Sequence, residues 1–454
     1  MDNLTTLVQS VNSLLWGMYC LIPLLVGTGI YLTIKLRFIQ IRRFGQAFRK
    51  VFGGITLFGD KAGKDGMSSF QSLATAISAQ VGTGNLAGVA TAIAMGGPGA
   101  IFWMWLAAFF GMATIFAEAT LAQVFRARDA HGQIMGGPAF YISRGLHNKP
   151  LAAFFAVSII IALGFIGNMV QANSIADGFH KAFEIPQWAT GIFVFAIAGF
   201  IFIGGVRRIA SFAEKMVPLM AVVYILGSLT IIFSNYDMIL PAFKEIIVGA
   251  FDPSAATGGI IGASLKEAIR YGVARGLFSN EAGSGSSPCA AAAAECDDPV
   301  KMGLVQALGV LIDTIVICSC SAFIMLLAPA DLINGLEGMD LLQAAMSWHF
   351  GELGVIFIAV ILWLFSFTTF IGILFYARSN VSYLFGDTWT AQTAYKILAL
   401  IMMFVGGLTA YTFVWDLGDV GVGLMTVFNL IALIPMSKEA LVSLRDYEAK
   451  YKKS

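Results

Sequence analysis

Two runs of this sequence place small and polar residues where an apolar helix should be continuous. Residues 78–85 read SAQVGTGN and residues 278–288 read FSNEAGSGSSP. In hydrocarbon every backbone polar group must be satisfied within the protein, so an unwound stretch survives only where it lines a cavity or a ligand. Free amides at Thr83 and Gly84, at the start of a half-helix with its positive end behind them, match a carboxylate. Free carbonyls just before them, around Ser78 and Val81, suit a hard cation such as sodium. The second run supplies further carbonyls and hydroxyls across Ser279, Asn280 and Gly283, and Pro288 is placed to begin the next half-helix, where its missing N–H costs nothing. Glycines that only let helices pack closely are the competing explanation, but those do not usually arrive with Asn, Thr, Ser and Glu beside them. No other chemistry competes. The five cysteines and four histidines are scattered without metal-ligand spacing, and no nucleophile is paired with a base.

The chain that must position these runs is a membrane protein. Of its 454 residues, 58% are hydrophobic and only 12% are charged, with a mean hydropathy of +0.79. A soluble surface needs about twice that share of charge. Eleven stretches are apolar enough to span a bilayer at about 20 residues each: roughly 10–35, 68–95, 99–126, 150–178, 187–206, 214–234, 258–294, 301–328, 352–377, 394–412 and 420–436. The N-terminus lacks a basic region and a cleavage site, so the first stretch reads as a retained span.

The polar runs fall in the second and seventh spans, five apart. Spans two to six and seven to eleven then form two five-helix units, and an odd number of crossings makes them enter the membrane from opposite sides. The expected fold is therefore all-α and polytopic, a 5+5 inverted repeat with one extra N-terminal helix. Its parts are residues 1–67 (that helix and an amphipathic segment), 68–235, 236–437 and a tail at 438–454. Paired interrupted helices in corresponding positions of two halves mark the binding site of a secondary transporter.

Of the 28 Lys and Arg residues, 23 fall in loops on one side of this scheme and two on the other. The positive side is cytoplasmic, so the N-terminus is expected outside and the C-terminus inside. Segment 36–52 sets Ile41, Phe44, Phe48 and Val51 on one helical face among basic residues, which suits the anionic inner leaflet. Short amphipathic helices are expected at 238–251 and 339–350, and an exposed charged tail at the end.

The interrupted spans carry a specific resemblance. VGTGNLAGVATAI at 81–93, GGPGAIFWMW at 96–105 and NEAGSGSSP at 280–288 resemble the signatures of the alanine or glycine:cation symporters, and the match in span order runs along nearly the whole chain. The GTGN break is also similar to the GLGN break of the neurotransmitter:sodium symporters, which share the leucine-transporter fold. The resemblance implies that fold, sodium as coupling ion (protons in some members) and a small neutral amino acid as substrate. Carried over, Thr83 and Gly84 bind the substrate carboxylate, Asn85 braces the break or contacts the ion, and carbonyls near Ser279 and Asn280 receive the ammonium with Gln80. Asn168 and Gln171, three apart on one helical face, reach the ligand from the side or bond to other helices. Phe165, Phe278 and Trp363 are candidate walls. Thr368 and Thr369, in the run Ser366 to Thr369, complete a sodium site with the carbonyls of Ser78 and Val81, the alternative being hydroxyls bonded back to their own helix.

Acids inside a membrane are functional by default. Glu118 and Asp313 are the isolated ones, both expected near the inner boundary, with Arg126 a possible neutraliser of Glu118. Lys266, Glu267, Arg270 and Arg275 recur at helical spacing before the second run and, with Glu281, line a wet vestibule, pair as a gate or form a structural cluster. The reading that unites these features is a multi-pass cell-membrane transporter (inner membrane in a Gram-negative host), not an enzyme, carrying alanine or glycine inward with sodium. It needs no cofactor and no nucleic-acid partner, only the bilayer. The alternatives are a proton-coupled symporter and, more remotely, a channel.

Overall fold

Apolar runs become helices here, and the small polar runs become their interruptions. The computed structural model describes residues 2–451 apart from 18, 53–68, 129–131, 133, 204 and 253–263. Among the described residues, seven helices are long and apolar enough to cross a membrane: Ala100–Val124, Lys149–Phe183, Ser211–Ser234, Pro299–Leu326, Glu352–Phe385, Trp389–Gly407 and Tyr411–Lys450.

The other four expected spans fall short of that length for different reasons. The stretch 10–35 is two helices, Asp2–Leu15 and Leu21–Lys35. Asn, Gln and Ser recur through the first of them, leaving it a single apolar face, so it cannot run through hydrocarbon as one rod with the second. The fifth is the 17-residue helix Gln187–Ile203. The second and seventh are interrupted: Ser69–Gln80 gives way to Val89–Gly96, and Leu265–Asn280 to Pro288–Ala293.

Helix starts follow local chemistry. Asn148 and Asp298 accept from the amides of Leu151 and Val300, each at 3.0 Å, and Ser264 forms a capping box with Glu267. Pro288 and Pro299 each occupy a first helical turn, where no N–H is missed. Among the described residues, three π-helical segments, Gly84–Gly88, Ile160–Gly167 and Leu311–Cys318, interrupt otherwise α-helical stretches. A small antiparallel pair, Ala127–Arg128 with Ile134–Met135, follows the Ala100–Val124 helix.

The amphipathic segment forms the helices Ile39–Arg42 and Phe44–Phe52, with Ile41, Phe44 and Phe48 exposed and Val51 buried. The helices Ile239–Phe251 and Gly338–Phe350 occupy the other two amphipathic stretches. The last helix runs unbroken from Tyr411 to Tyr451, so residues 438–451 continue it, and Glu448 on this extension pairs with Arg42 and, at 3.1 Å, with Arg43.

Polarity is inverted relative to a soluble fold. Ser78, Thr83, Asn85, Glu118, Asp313 and Ser284 are fully enclosed, while Phe200, Leu226, Phe233 and Leu353 face outward. Side chains that cannot face lipid therefore converge on the two interruptions, which share the centre of the molecule.

Candidate transport site at the two interruptions

At the first interruption the chain leaves α-helical geometry at Val81 and Gly82. Asn85 repairs part of the damage from within, its Oδ1 accepting from the Gly82 amide at 2.8 Å. The Thr83 amide and hydroxyl both donate to Gln171 Oε1, at 3.3 and 3.1 Å. The Val81 carbonyl accepts from the Thr369 hydroxyl at 3.0 Å. Gly84 lies against the other interruption: a Cβ there would stand 3.2 Å from Phe278 Cδ1 and 3.2 Å from Ser279 Cα, which leaves no room for a larger side chain.

At the second interruption the helix ends at Asn280, and Glu281 takes a left-handed conformation (φ 58°) that turns the chain out of the helix. Gly283 follows at φ 99°, a backbone open to glycine and few other residues. Both polar groups of Gly283 are held by side chains from other helices. Its N–H donates to Glu118 Oε2 at 3.1 Å and its carbonyl accepts from Asn429 Nδ2 at 2.9 Å. Asn429 also donates to Glu118 Oε1 and accepts from the Tyr141 hydroxyl. At the far end of the short Pro288–Ala293 helix, Gln123 donates to the carbonyls of Ala291 and Ala294, and Arg126 to that of Ala294 at 2.7 Å, which satisfies carbonyls the helix end leaves orphaned.

The two interruptions are tied together. Gln80 Nε2 donates to the Asn280 carbonyl at 2.9 Å and to Ser287 Oγ at 3.2 Å. Asp313 accepts from Asn85 Nδ2 at 2.7 Å and from Ser279 Oγ at 2.7 Å, so one carboxylate bridges both. Beside this junction lies a cavity whose lining includes Gln171, Phe278, Glu281, Ser284, Thr369 and Gly418. Phe278 packs against Trp415 with centroids 5.0 Å apart and the rings tilted by 33°. One helical turn from Phe278, Arg275 makes a two-pronged ion pair with Asp419 at 2.8 and 2.6 Å, both residues nearly enclosed.

The structure sorts the residues picked out by sequence. Val81, Thr83, Gln171, Phe278 and Thr369 meet at or beside the cavity, with Gly84 packed behind. Gln80, Asn85 and Ser279 bond at the junction itself, while the Asn280 side-chain amide donates to Thr314 and the Gly283 N–H to Glu118. Others lie elsewhere. Asn168 bonds back to the Gly164 carbonyl at 2.6 Å, and the Ser78 hydroxyl bonds to the Thr75 carbonyl at 2.7 Å, whereas the expected ion ligand at that residue is its carbonyl. Phe165 packs on Tyr395, and Trp363 between Phe193 and Phe367, so neither ring walls the cavity. Thr368 donates to its own helix at Phe365 and lies 3.3 Å from Met220 Sδ, turned from Thr369 as adjacent helical residues must be.

The charges also resolve differently. Glu118 is held by Gly283 and Asn429 rather than by Arg126, and Asp313 sits between the interruptions rather than at a boundary. Arg275 pairs with Asp419, not with Glu281, which accepts from Ser287 at 2.7 Å. Asp419, Trp415 and Asn429 carried no sequence signal of their own. The available clue was general: an Asp or Asn inside an apolar helix, here Asp416, Asp419 and Asn429, must find a partner.

With this geometry in hand, the comparisons are informative. The family model described as "Sodium:alanine symporter family" matches residues 1–454. The chain is 41% identical over 441 residues to a probable sodium/glutamine symporter, GlnT, of Bacillus subtilis, covering 97% of this chain and 90% of that protein. It is 39% identical over 438 residues to the sodium/alanine symporter AgcS of Methanococcus maripaludis, covering 95% and 94%. Among solved structures, MhsT in complex with L-phenylalanine superposes with a TM-score of 0.56 at 14% identity, over 84% of this chain and 98% of that one, a likeness of fold alone.

Proposed function

The chain belongs to the sodium:alanine symporter family and is a cation-coupled amino-acid symporter, not an enzyme; from that premise we propose that it carries alanine and glycine into the cell with sodium by alternating access. The observation that carries the reading is the first interruption. Within three residues it offers a carbonyl, at Val81, and an amide, at Thr83, each held only by a side chain of a facing helix. A substrate carboxylate takes the amide from Gln171, and a sodium ion draws the Val81 carbonyl and the Thr369 hydroxyl together as ligands. The ammonium group goes to the carbonyls near Ser279 and Asn280 and to Gln80, at the junction beside the cavity, with Phe278 as the aromatic wall. Among the described residues no cationic side chain lines the cavity, so none of them would pair with a second carboxylate on the substrate.

The remaining architecture follows the same reading. Residues 68–235 and 236–437 are two inverted five-helix units, residues 1–67 precede them, and the protein is a multi-pass cell-membrane protein with its N-terminus outside. The exposed Ile41, Phe44 and Phe48 rest on the inner leaflet. Radiolabelled alanine uptake into proteoliposomes, with sodium and pH gradients imposed separately, tests the proposal. Uptake above equilibrium driven by sodium, competed by glycine and not by aspartate or lysine, is the expected result. Uptake driven by a proton gradient without sodium removes the ion assignment, and glutamine outcompeting alanine removes the substrate assignment.

A further inference from the structure

The helix Asp2–Leu15 belongs to neither interrupted span, and it ends before the helix that follows begins at Leu21, with non-helical backbone at residues 16–17 and 19–20. It nevertheless presents a buried face, Val8, Asn12, Leu15 and Trp16, to the last helix. The contacts read successive turns of that helix. Asn12 Nδ2 donates to the Asp416 carbonyl at 3.3 Å, Trp16 Nε1 donates to the Asp419 carbonyl at 3.1 Å, and Leu15 occupies the space that a Cβ on Gly423 would need. Gln9 adds a bond to the Asp416 carboxylate at 3.4 Å.

Asp419 is the residue whose carboxylate holds Arg275. The Arg275 guanidinium lies 5.1 Å from the Trp415 ring centroid and 6.0 Å from that of Phe278, the aromatic wall of the cavity. A continuous line of contacts therefore runs from Trp16 through Asp419 and Arg275 to Phe278. Trp16 is 2% exposed, so its N–H donates in a site that excludes water, where losing the bond leaves the geometry of Asp419 less determined.

We infer that the segment Asp2–Trp16 is a latch on the closure of the cavity, with Trp16 a positioning residue that holds Asp419 where it can pair with Arg275. The inference rests on the symporter reading for its functional consequence. Closure of the Arg275–Asp419 side is one half of an alternating-access cycle, so a loosened latch slows the cycle without touching the atoms that meet the substrate.

Two variants of the full chain test it: Trp16→Phe, which keeps a ring and removes the N–H, and Gly423→Ala, which displaces Leu15 from the opposite partner. Each is expected to lower the maximal rate of sodium-driven alanine uptake by about three- to tenfold, the span one neutral hydrogen bond contributes, with the KM for alanine unchanged within about twofold. In an Asp419→Asn background, which has already lost the ion pair, Trp16→Phe is expected to add nothing, because coupled residues are non-additive. Multiplying losses, or wild-type rates in both single variants, overturn the latch. Hydrogen exchange of the purified protein decides independently of transport. Trp16→Phe should speed exchange in peptides from Leu265–Asn280, which Trp16 does not contact through any bond described above, and unchanged exchange there also overturns it. If the unmodified protein takes up no alanine with sodium, the sodium and alanine assignments fail while the exchange result still decides the latch.

Discussion

The two interrupted helices are fixed by different kinds of contact. At the first, the Thr83 amide and the Val81 carbonyl are each engaged by a single side chain, Gln171 and Thr369, reaching across from a facing helix. At the second, the Gly283 peptide is gripped on both sides by Glu118 and Asn429, and the short helix beyond is tied down at its end by Gln123 and Arg126. On the proposed function, the partners at the first interruption stand where ligands will stand, so binding replaces them. The partners at the second engage atoms that no ligand needs, so they persist through binding. One interruption is a set of placeholders, the other a brace.

The comparison breaks most sharply at Gly84. Gly84→Val drives a branched side chain into Phe278 and Ser279, where even a Cβ stands at 3.2 Å, and alanine uptake is expected to vanish while the protein still inserts in the membrane. Normal uptake by that variant puts the substrate elsewhere. The next effect falls on the brace. Glu118→Ala leaves the Gly283 N–H buried without an acceptor, a cost of about 1–3 kcal/mol. It should appear as a lower melting temperature in detergent whether or not sodium and alanine are present. A Glu118→Ala protein of normal stability with a shifted sodium response shows instead that the second interruption answers to the ion.

A smaller change belongs to the placeholders. Thr369→Val keeps the side-chain shape and removes an oxygen, so the sodium concentration for half-maximal uptake should rise by about three- to tenfold, the worth of about one hydrogen bond. Alanine affinity falls with it, because linkage is reciprocal, and saturating sodium restores it. Thr368→Val should stay within about twofold of the unmodified protein, since that hydroxyl bonds back to its own helix, a common arrangement for Thr in membrane helices. Equal sodium titrations for Thr369→Val and the unmodified protein remove the ion from this helix.

Much of this was legible in the sequence, and the limits have physical reasons. Both interruptions announce themselves, because glycine, proline and small polar residues in an apolar helix have few other uses. Gln171, Phe278 and Thr369 could be named because they lie on helices that must face those interruptions. The same logic named Asn168, Phe165, Trp363 and Thr368, of which the structure bonds Asn168 and Thr368 to their own helices and packs both rings on other aromatics, a choice set by rotational phase. A helix with polar residues at adjacent or i+3 positions does not reveal which of them points inward until its neighbours are placed. The partners of charges were least legible. Glu118 and Arg126 are close in sequence, yet Glu118 meets Asn429 from 311 positions away, and Asp419 carries no local sign of Arg275. The helix end at Leu15 was hidden because hydropathy averaged over a window blurs one apolar face into one apolar span.

The π-helical segment Leu311–Cys318 acts as a phase correction. Its helix grips Asn85 from both of the asparagine's ends: Asp313 accepts from the Asn85 side chain at 2.7 Å, and Ser321 donates to the Asn85 carbonyl at 2.5 Å. Eight residues separate Asp313 from Ser321, and in an uninterrupted α-helix, at about 100° per residue, that spacing leaves them roughly 80° apart around the axis. A π turn absorbs one extra residue, which brings the effective spacing to seven and the two side chains to within about 20° of a common line. The helix thus spends one residue of length to aim two side chains at a single asparagine, and shortening the segment by one residue would turn Ser321 away from the interruption while leaving every residue type unchanged.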